Sequence, residues 1–156
     1  MKFSLILIFV FYFSGSLFSE TKNDFYIGEY VGDPVKSIEL YKKYKKKKGS
    51  EVTEERQKKN ALAATKKALI ITDKEVIIRN SILEDHFSYK LLKETKDSVI
   101  FEINLSKSIN VKSGEVSTDN RYRRSIKFTL IFFDDKKSSV AQKFGDEGVI
   151  WAYKRK

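Results

Sequence analysis

The sequence predicts a mainly β domain of α+β make-up: an antiparallel meander closed into a small barrel, with a helix pair inserted between the first and second strands. Three observations carry that expectation. From residue 68 onward, apolar residues recur at every second position. Between Pro34 and Lys67 the chain is instead built of helix formers: Lys, Glu, Ala, Leu, Gln and Arg. Short polar turns separate the alternating runs, and short connections make consecutive strands antiparallel neighbours. Closing such a meander on itself covers each apolar face and removes the edges.

The first element in chain order is a leader. "MKFSLILIFVFYFSGSLFSE" places one charge at Lys2 before an apolar run from Phe3 to Phe13, then small residues at Ser14, Gly15, Ser16 and Ser19. That is the layout of a secretory signal peptide over residues 1–19, leaving 20–156 as a single domain. The apolar run is shorter than the ~20 residues a bilayer span needs. Cleavage fits after Ser16 or after Ser19, and an uncleaved anchor is the alternative. The chain has no cysteine, which excludes a lipid-modified cysteine, disulfide staples and thiolate metal or redox sites. An exported, cysteine-free chain of this size reads as bacterial and as periplasmic, outer-surface or secreted.

"DFYIGEYVG" then reads as the first strand, Phe25 to Val31. Asp33 before Pro34 is a helix start, a capping carboxylate followed by proline at the first helical position. Val35, Ile38 and Tyr41, with Tyr44 or Leu40, form an apolar stripe at helical spacing. Gly49-Ser50 breaks the run. Thr53, with Glu54 and Glu55 in the first turn, starts a second helix that ends near Lys67 and carries Leu62, Ala63 and Ala64 late. "ALIIT" and "EVIIRN" flank Asp73-Lys74 as a hairpin. "DHFSYKLLKE" alternates Phe87, Tyr89 and Leu91 against His86, Ser88 and Lys90. "SVIFEINL" aligns Val99, Phe101, Ile103 and Leu105, and "SINVKSGEV" reads as a weaker strand bent at Ser113-Gly114. "YRRSIKFTLIFF" is the strongest strand, with Ile126, Phe128, Leu130 and Phe132 on one face. "SSVAQKF" and "VIWAYKRK" complete the set. A barrel of about eight strands is wide enough to hold one small ligand.

This organisation resembles the calycins, the superfamily of lipocalins and fatty-acid-binding proteins. Members carry Gly-x-Trp on the first strand, and Gly28-Glu29-Tyr30 stands in that place with Tyr for Trp. The helix pair between the first two strands is similar to the lid of the fatty-acid-binding branch. The Arg-x-Tyr of that branch's last strand is reversed here, as Tyr153 and Arg155. The resemblance implies a lipocalin-like barrel whose first strand pairs with Val149 to Lys154. It also implies that a last-strand base, Arg155 or else Lys154, packs across Tyr30. A small apolar or amphipathic ligand, such as a lipid or fatty acid, is the implied cargo.

The chemistry-bearing residues exclude more than they assign. His86 alternates to the solvent side of its strand, away from Phe87, and has no evident second ligand or base partner. The carboxylate pairs Glu54-Glu55, Glu84-Asp85 and Asp134-Asp135 fall at turns or helix starts, where carboxylates cap and solvate. No nucleophile elbow, Walker or dinucleotide-binding pattern occurs, so the sequence predicts no enzyme, no catalytic residue, no metal and no cofactor. The net charge is +10, of which the leader carries Lys2. Export turns that charge away from nucleic acid and toward anionic lipid, lipopolysaccharide or host polyanions. Lys42, Lys43, Lys45, Lys46, Lys47 and Lys48 occupy too many successive positions for one helix face, so they read first as a solvated exterior. Lys43, Lys46, Lys47 and Lys48 are the candidates for contact with an anionic membrane surface. In "RYRR", Tyr122 and Arg124 share the side of Ile126 and Phe128, where Arg124 would meet a ligand acid group or pair with Asp119 or Glu115. Arg124, Tyr122, Tyr89 and Phe128 are therefore the candidate ligand residues. Two functions follow: an exported, monomeric, ligand-binding barrel, or a packed envelope-associated interaction module with a basic surface.

Overall fold

The computed structural model describes residues 24–118, 125–145 and 151–156. Within them the chain runs β1 (Gly28–Gly32), α1 (Pro34–Lys47), α2 (Glu54–Thr65), β2 (Ala68–Ile71), β3 (Glu75–Arg79) and β4 (Leu83–Glu94). It continues as β5 (Ser98–Asn110), β6 (Val116–Ser117), β7 (Ile126–Phe132), β8 (Ser139–Phe144) and β9 (Trp151–Arg155). The sheet order is β4-β3-β2-β1-β9-β8-β7-β5, and β5 pairs back onto β4, closing an antiparallel barrel of 8 strands. First and last strands meet as expected, with Tyr30 opposite Arg155 and Val31 opposite Lys154. "SINVKSGEV" departs from expectation. Its first part extends β5 to Asn110, and only Val116–Ser117 turns back to pair with it.

Side-chain oxygens close the hairpins that lack glycine: hydroxyls in two turns, the Asn80 amide between β3 and β4, and the Asp134 carboxylate between β7 and β8. Thr72 Oγ1 accepts from the N–H groups of Lys74 and Glu75 at 3.1 and 3.0 Å. Thr95 Oγ1 accepts from the Ser98 N–H at 3.0 Å in the turn from β4 to β5. Such local bonds supply the backbone constraint that glycine gives elsewhere.

The helix signals hold at both ends. Asp33 accepts from Lys36 N at 3.0 Å, and Thr53 accepts from Arg56 N. After α1, Gly49 adopts φ 69°, its N–H bonds Lys46 O, and the Ser50 N–H bonds Lys45 O, each at 3.0 Å. That pair of bonds is a Schellman stop.

The helices bury the expected faces only in part. Ile38, Tyr41 and Ala63 are half-buried and Ala64 is buried, but Val35 is 77% exposed and Leu62 60%, and Ser37 is buried instead. Close approach decides this, and close approach needs small residues. β1 stops at Gly32, so β9 lacks its next rung. Asp33 N donates to Ala152 O at 2.8 Å, and Ser37 Oγ accepts from Ala152 N at 3.0 Å. The first turn of α1 thus satisfies backbone groups that a longer β1 would have taken. A Cβ at Gly32 would lie 1.9 Å from the Ala64 carbonyl oxygen, so no larger residue fits beside the end of α2.

The lumen is filled from every strand of the ring. Tyr30, Leu69, Val76, Phe101, Phe128 and Tyr153 belong to one buried cluster and are 0% exposed. The end of the barrel holding Gly28, Ile71 and Val99 is called lower here, and the end holding Gly32, Ala68 and Trp151 upper. The expected strand start at Phe25 is corrected: residues 24–27 form a turn, closed by Ile27 N on Asp24 O at 2.8 Å, that crosses the lower end. Tyr26 reaches Phe101 on the far side of the ring, centroid to centroid 5.2 Å and edge to face. Gly28 follows this turn at φ 154°, where other residues are strained, and a Cβ there would press on the Arg155 guanidinium at 3.0 Å.

Candidate functional site

Three places collect polar side chains around this core. At the lower end, the Arg155 guanidinium lies over the Tyr30 ring, 5.7 Å from its centroid. Its Nη1 and Nη2 donate to the carbonyls of Phe25 and Ile27 at 3.2 and 2.6 Å. The Tyr30 hydroxyl donates to Tyr26 O at 2.9 Å. One arginine therefore holds the crossing turn, the first strand and the last strand together, and burial pushes the Tyr30 phenol pKa up despite that cation. Lys154, the second choice for this contact, is exposed. Tyr89 also lies at this end. Its hydroxyl donates to Thr72 O at 2.9 Å, and its ring meets Phe101 at 5.0 Å.

The outer face of β3 and β4 holds the second cluster and overturns the reading of His86. The histidine is on the outward side, as its alternation required, yet it is only 6% exposed. Its Nδ1 faces Glu75 Oε2 and its Nε2 faces Glu84 Oε1, each at 2.9 Å. Glu84 also bonds Arg79. A neutral ring donates to one carboxylate only, so the imidazolium form satisfies both. With both nitrogens engaged, none is free for a metal. Cross-strand register supplies this arrangement: His86 sits opposite Ile77, and Glu75 is its diagonal neighbour. The sequence gives no direct sign of that pairing.

Burial alone would raise the Glu84 pKa, but the hydrogen bonds and charges of His86 and Arg79 outweigh it and hold the carboxyl below its ordinary value. A carboxyl depressed on folding contributes stability above its unfolded pKa, near 4.3, and loses it as pH falls through the lower folded value. Glu84→Gln should therefore cost about 1 kcal/mol at pH 7. The gap from the parent protein should close in urea titrations at about pH 3. A gap that persists unchanged at low pH would rule out the carboxylate as the source.

The third place is the upper mouth. Leu105, Ile126, Phe144 and Trp151 point inward by register and are half-buried, standing above the fully buried Phe128 and Tyr153. Tyr153 donates to the buried Gln142 at 2.6 Å, and burial pushes its phenol pKa up. Phe128 is thus the floor of this cup, 5.3 Å from Phe144. Lys67 enters the same mouth with its Nζ 4.4 Å from the Trp151 centroid. Asp85 lies on the inward face of β4 and accepts a short hydrogen bond from Ser108. Neither Lys67 nor Asp85 stood out in the sequence, because each reads there as a turn or strand-end charge. Tyr122 and Arg124 lie outside the described residues.

The lysines of α1 are spread over its solvent faces. Lys42, Lys43, Lys46, Lys47 and Lys48 are exposed, and the last turn carries Lys45, Lys46 and Lys47 where the helix dipole favours cations. Lys45 and Lys48 lie 5.8 and 6.0 Å from the rings of Tyr41 and Tyr44. Among the described residues, no group of three or more His, Asp and Glu is arranged to hold a metal, and no helix is long and apolar enough to cross a membrane. No protein-family model, curated protein or solved structure matches the chain.

Proposed function

We propose that the protein is an exported, non-enzymatic, calycin-like barrel that binds a small apolar or amphipathic molecule in its upper cup. One observation carries this reading. Leu105, Ile126, Phe144 and Trp151 face inward yet remain partly open to solvent, above a floor that is fully buried. Apolar surface held open at a barrel mouth gains by being covered, at about 25 cal/mol per Å². The guanidinium of Arg155 on Tyr30 supports the calycin comparison at the opposite end. Gently purified protein, extracted and analysed by mass spectrometry, should release a small lipid-like molecule. An extract with none, and no thermal shift across a lipid panel, would refute the reading.

The exposed lysines of α1 favour a second reading, a barrel held at an anionic envelope surface. Binding to anionic liposomes that disappears between low and physiological salt supports it, and salt-insensitive or absent binding rejects it.

A further inference from the structure

We propose that Lys67 is the head-group contact of the upper cup, selecting amphipaths with a carboxylate or phosphate head over neutral or cationic ones. This inference rests on the ligand reading above. Register places Lys67 here. It follows α2 and precedes Ala68, its carbonyl accepts from Gly32 N at 2.9 Å, and it continues the inward set that includes Leu69. From there the lysine side chain reaches β9 and brings its ammonium over the Trp151 ring.

Among the described residues the counter-charge to this ammonium is only partial. Among them the ammonium makes no ion pair. Asp85 is close enough to favour its charge, but that carboxylate accepts from Ser108. Burial outweighs Asp85 and lowers the Lys67 pKa. Burial thus sets a cost on the charged form, and an anion beside it would offset that cost. The half-buried apolar side chains next to it supply the surface for a tail. A head and a tail are accommodated together, which makes the favoured ligand an anionic amphipath rather than a free ion or a neutral lipid.

Trp151 is the only tryptophan, so intrinsic fluorescence reads this site directly. The intact protein is titrated, below micelle concentrations, with dodecanoate, dodecyl phosphate, dodecanol, dodecyltrimethylammonium and inorganic phosphate. The two anionic amphipaths should bind at least about tenfold more tightly than dodecanol, the equivalent of one charge-assisted contact. The cation and inorganic phosphate should leave the emission unchanged. Lys67→Met should erase the anionic preference, leave dodecanol binding as it was, and not lower the melting temperature. Equal binding of dodecanol and dodecanoate would overturn the head-group role while leaving the cup intact as a ligand site. A preference that survives Lys67→Met would overturn it as well, as would inorganic phosphate binding as tightly as dodecyl phosphate. Silence toward every amphipath would overturn both this inference and the reading beneath it.

Discussion

A chain ending at residue 148 is expected to lose cooperative unfolding altogether, whereas Arg155→Ala should fold and lose about 1–3 kcal/mol. The asymmetry follows from what β9 does. It pairs with β1 on one side and β8 on the other, so removing it opens the ring on two sides at once. The Tyr153 side chain, fully buried in the lumen, disappears with it. Burial of one such side chain is worth about 1.5–3 kcal/mol. Ser37 and Asp33 lose the Ala152 backbone groups they satisfy, and unpaired donors are left at the start of α1. Against a typical domain stability of roughly 5–15 kcal/mol, these losses are too many to survive. Arg155→Ala keeps both ladders and forfeits only the stack on Tyr30 and two carbonyl bonds. Circular dichroism with thermal melting separates the outcomes. A truncated chain that still melts sharply with native strand content would mean that β9 does not hold the ring closed.

The helix boundaries were legible because each has a local chemical cause, and the pairing of the first strand with the last was expected because a closed meander covers its apolar faces and its edges. Asp33-Pro34, Thr53 and Gly49 act through their own capping bonds, and those bonds form wherever the chain goes. Period-2 alternation gave the inward faces of the strands for the same reason. Three features were not legible, and all depend on partners distant in sequence. Phe25 and Tyr26 alternate like strand residues, but Tyr26 is held below the barrel by Phe101 and by Arg155 bonding the flanking carbonyls. His86 faces outward, and its burial comes from Glu75 and Glu84 folding over it. Val35 looks like helix core, yet α1 docks through Ser37, because a hydroxyl can replace a missing ladder rung and a valine cannot. The upper cup was half legible. Phe128 reads in the sequence as an inward residue and lies below the half-buried ring of Phe144, while Lys67 is hidden there because a lysine after a helix usually faces water.

Phe101→Ala is the second large effect expected, at about 3–5 kcal/mol of lost stability. The side chain is 0% exposed and sits where the crossing turn, β4 and β7 converge. Its ring meets Tyr26 at 5.2 Å, Tyr89 at 5.0 Å and Phe128 at 6.2 Å. These neighbours are anchored elsewhere: Tyr26 to Asp24, Tyr89 to Thr72, and Phe128 against Phe144. They cannot collapse far into the space the ring leaves, so most of the cavity term is retained on top of the lost transfer free energy. The size of the effect also tests how the lumen is divided. In a solid lower half the truncation costs the full amount, and the new apolar cavity should take up benzene with a rise in melting temperature. In a hollow lumen the ring already borders empty space, and its removal would cost under about 1.5 kcal/mol with no benzene effect. Urea unfolding of Phe101→Ala, with and without benzene, distinguishes the two. The full loss with benzene rescue would confine any natural ligand to the cup above Phe128, within reach of Lys67 and Trp151.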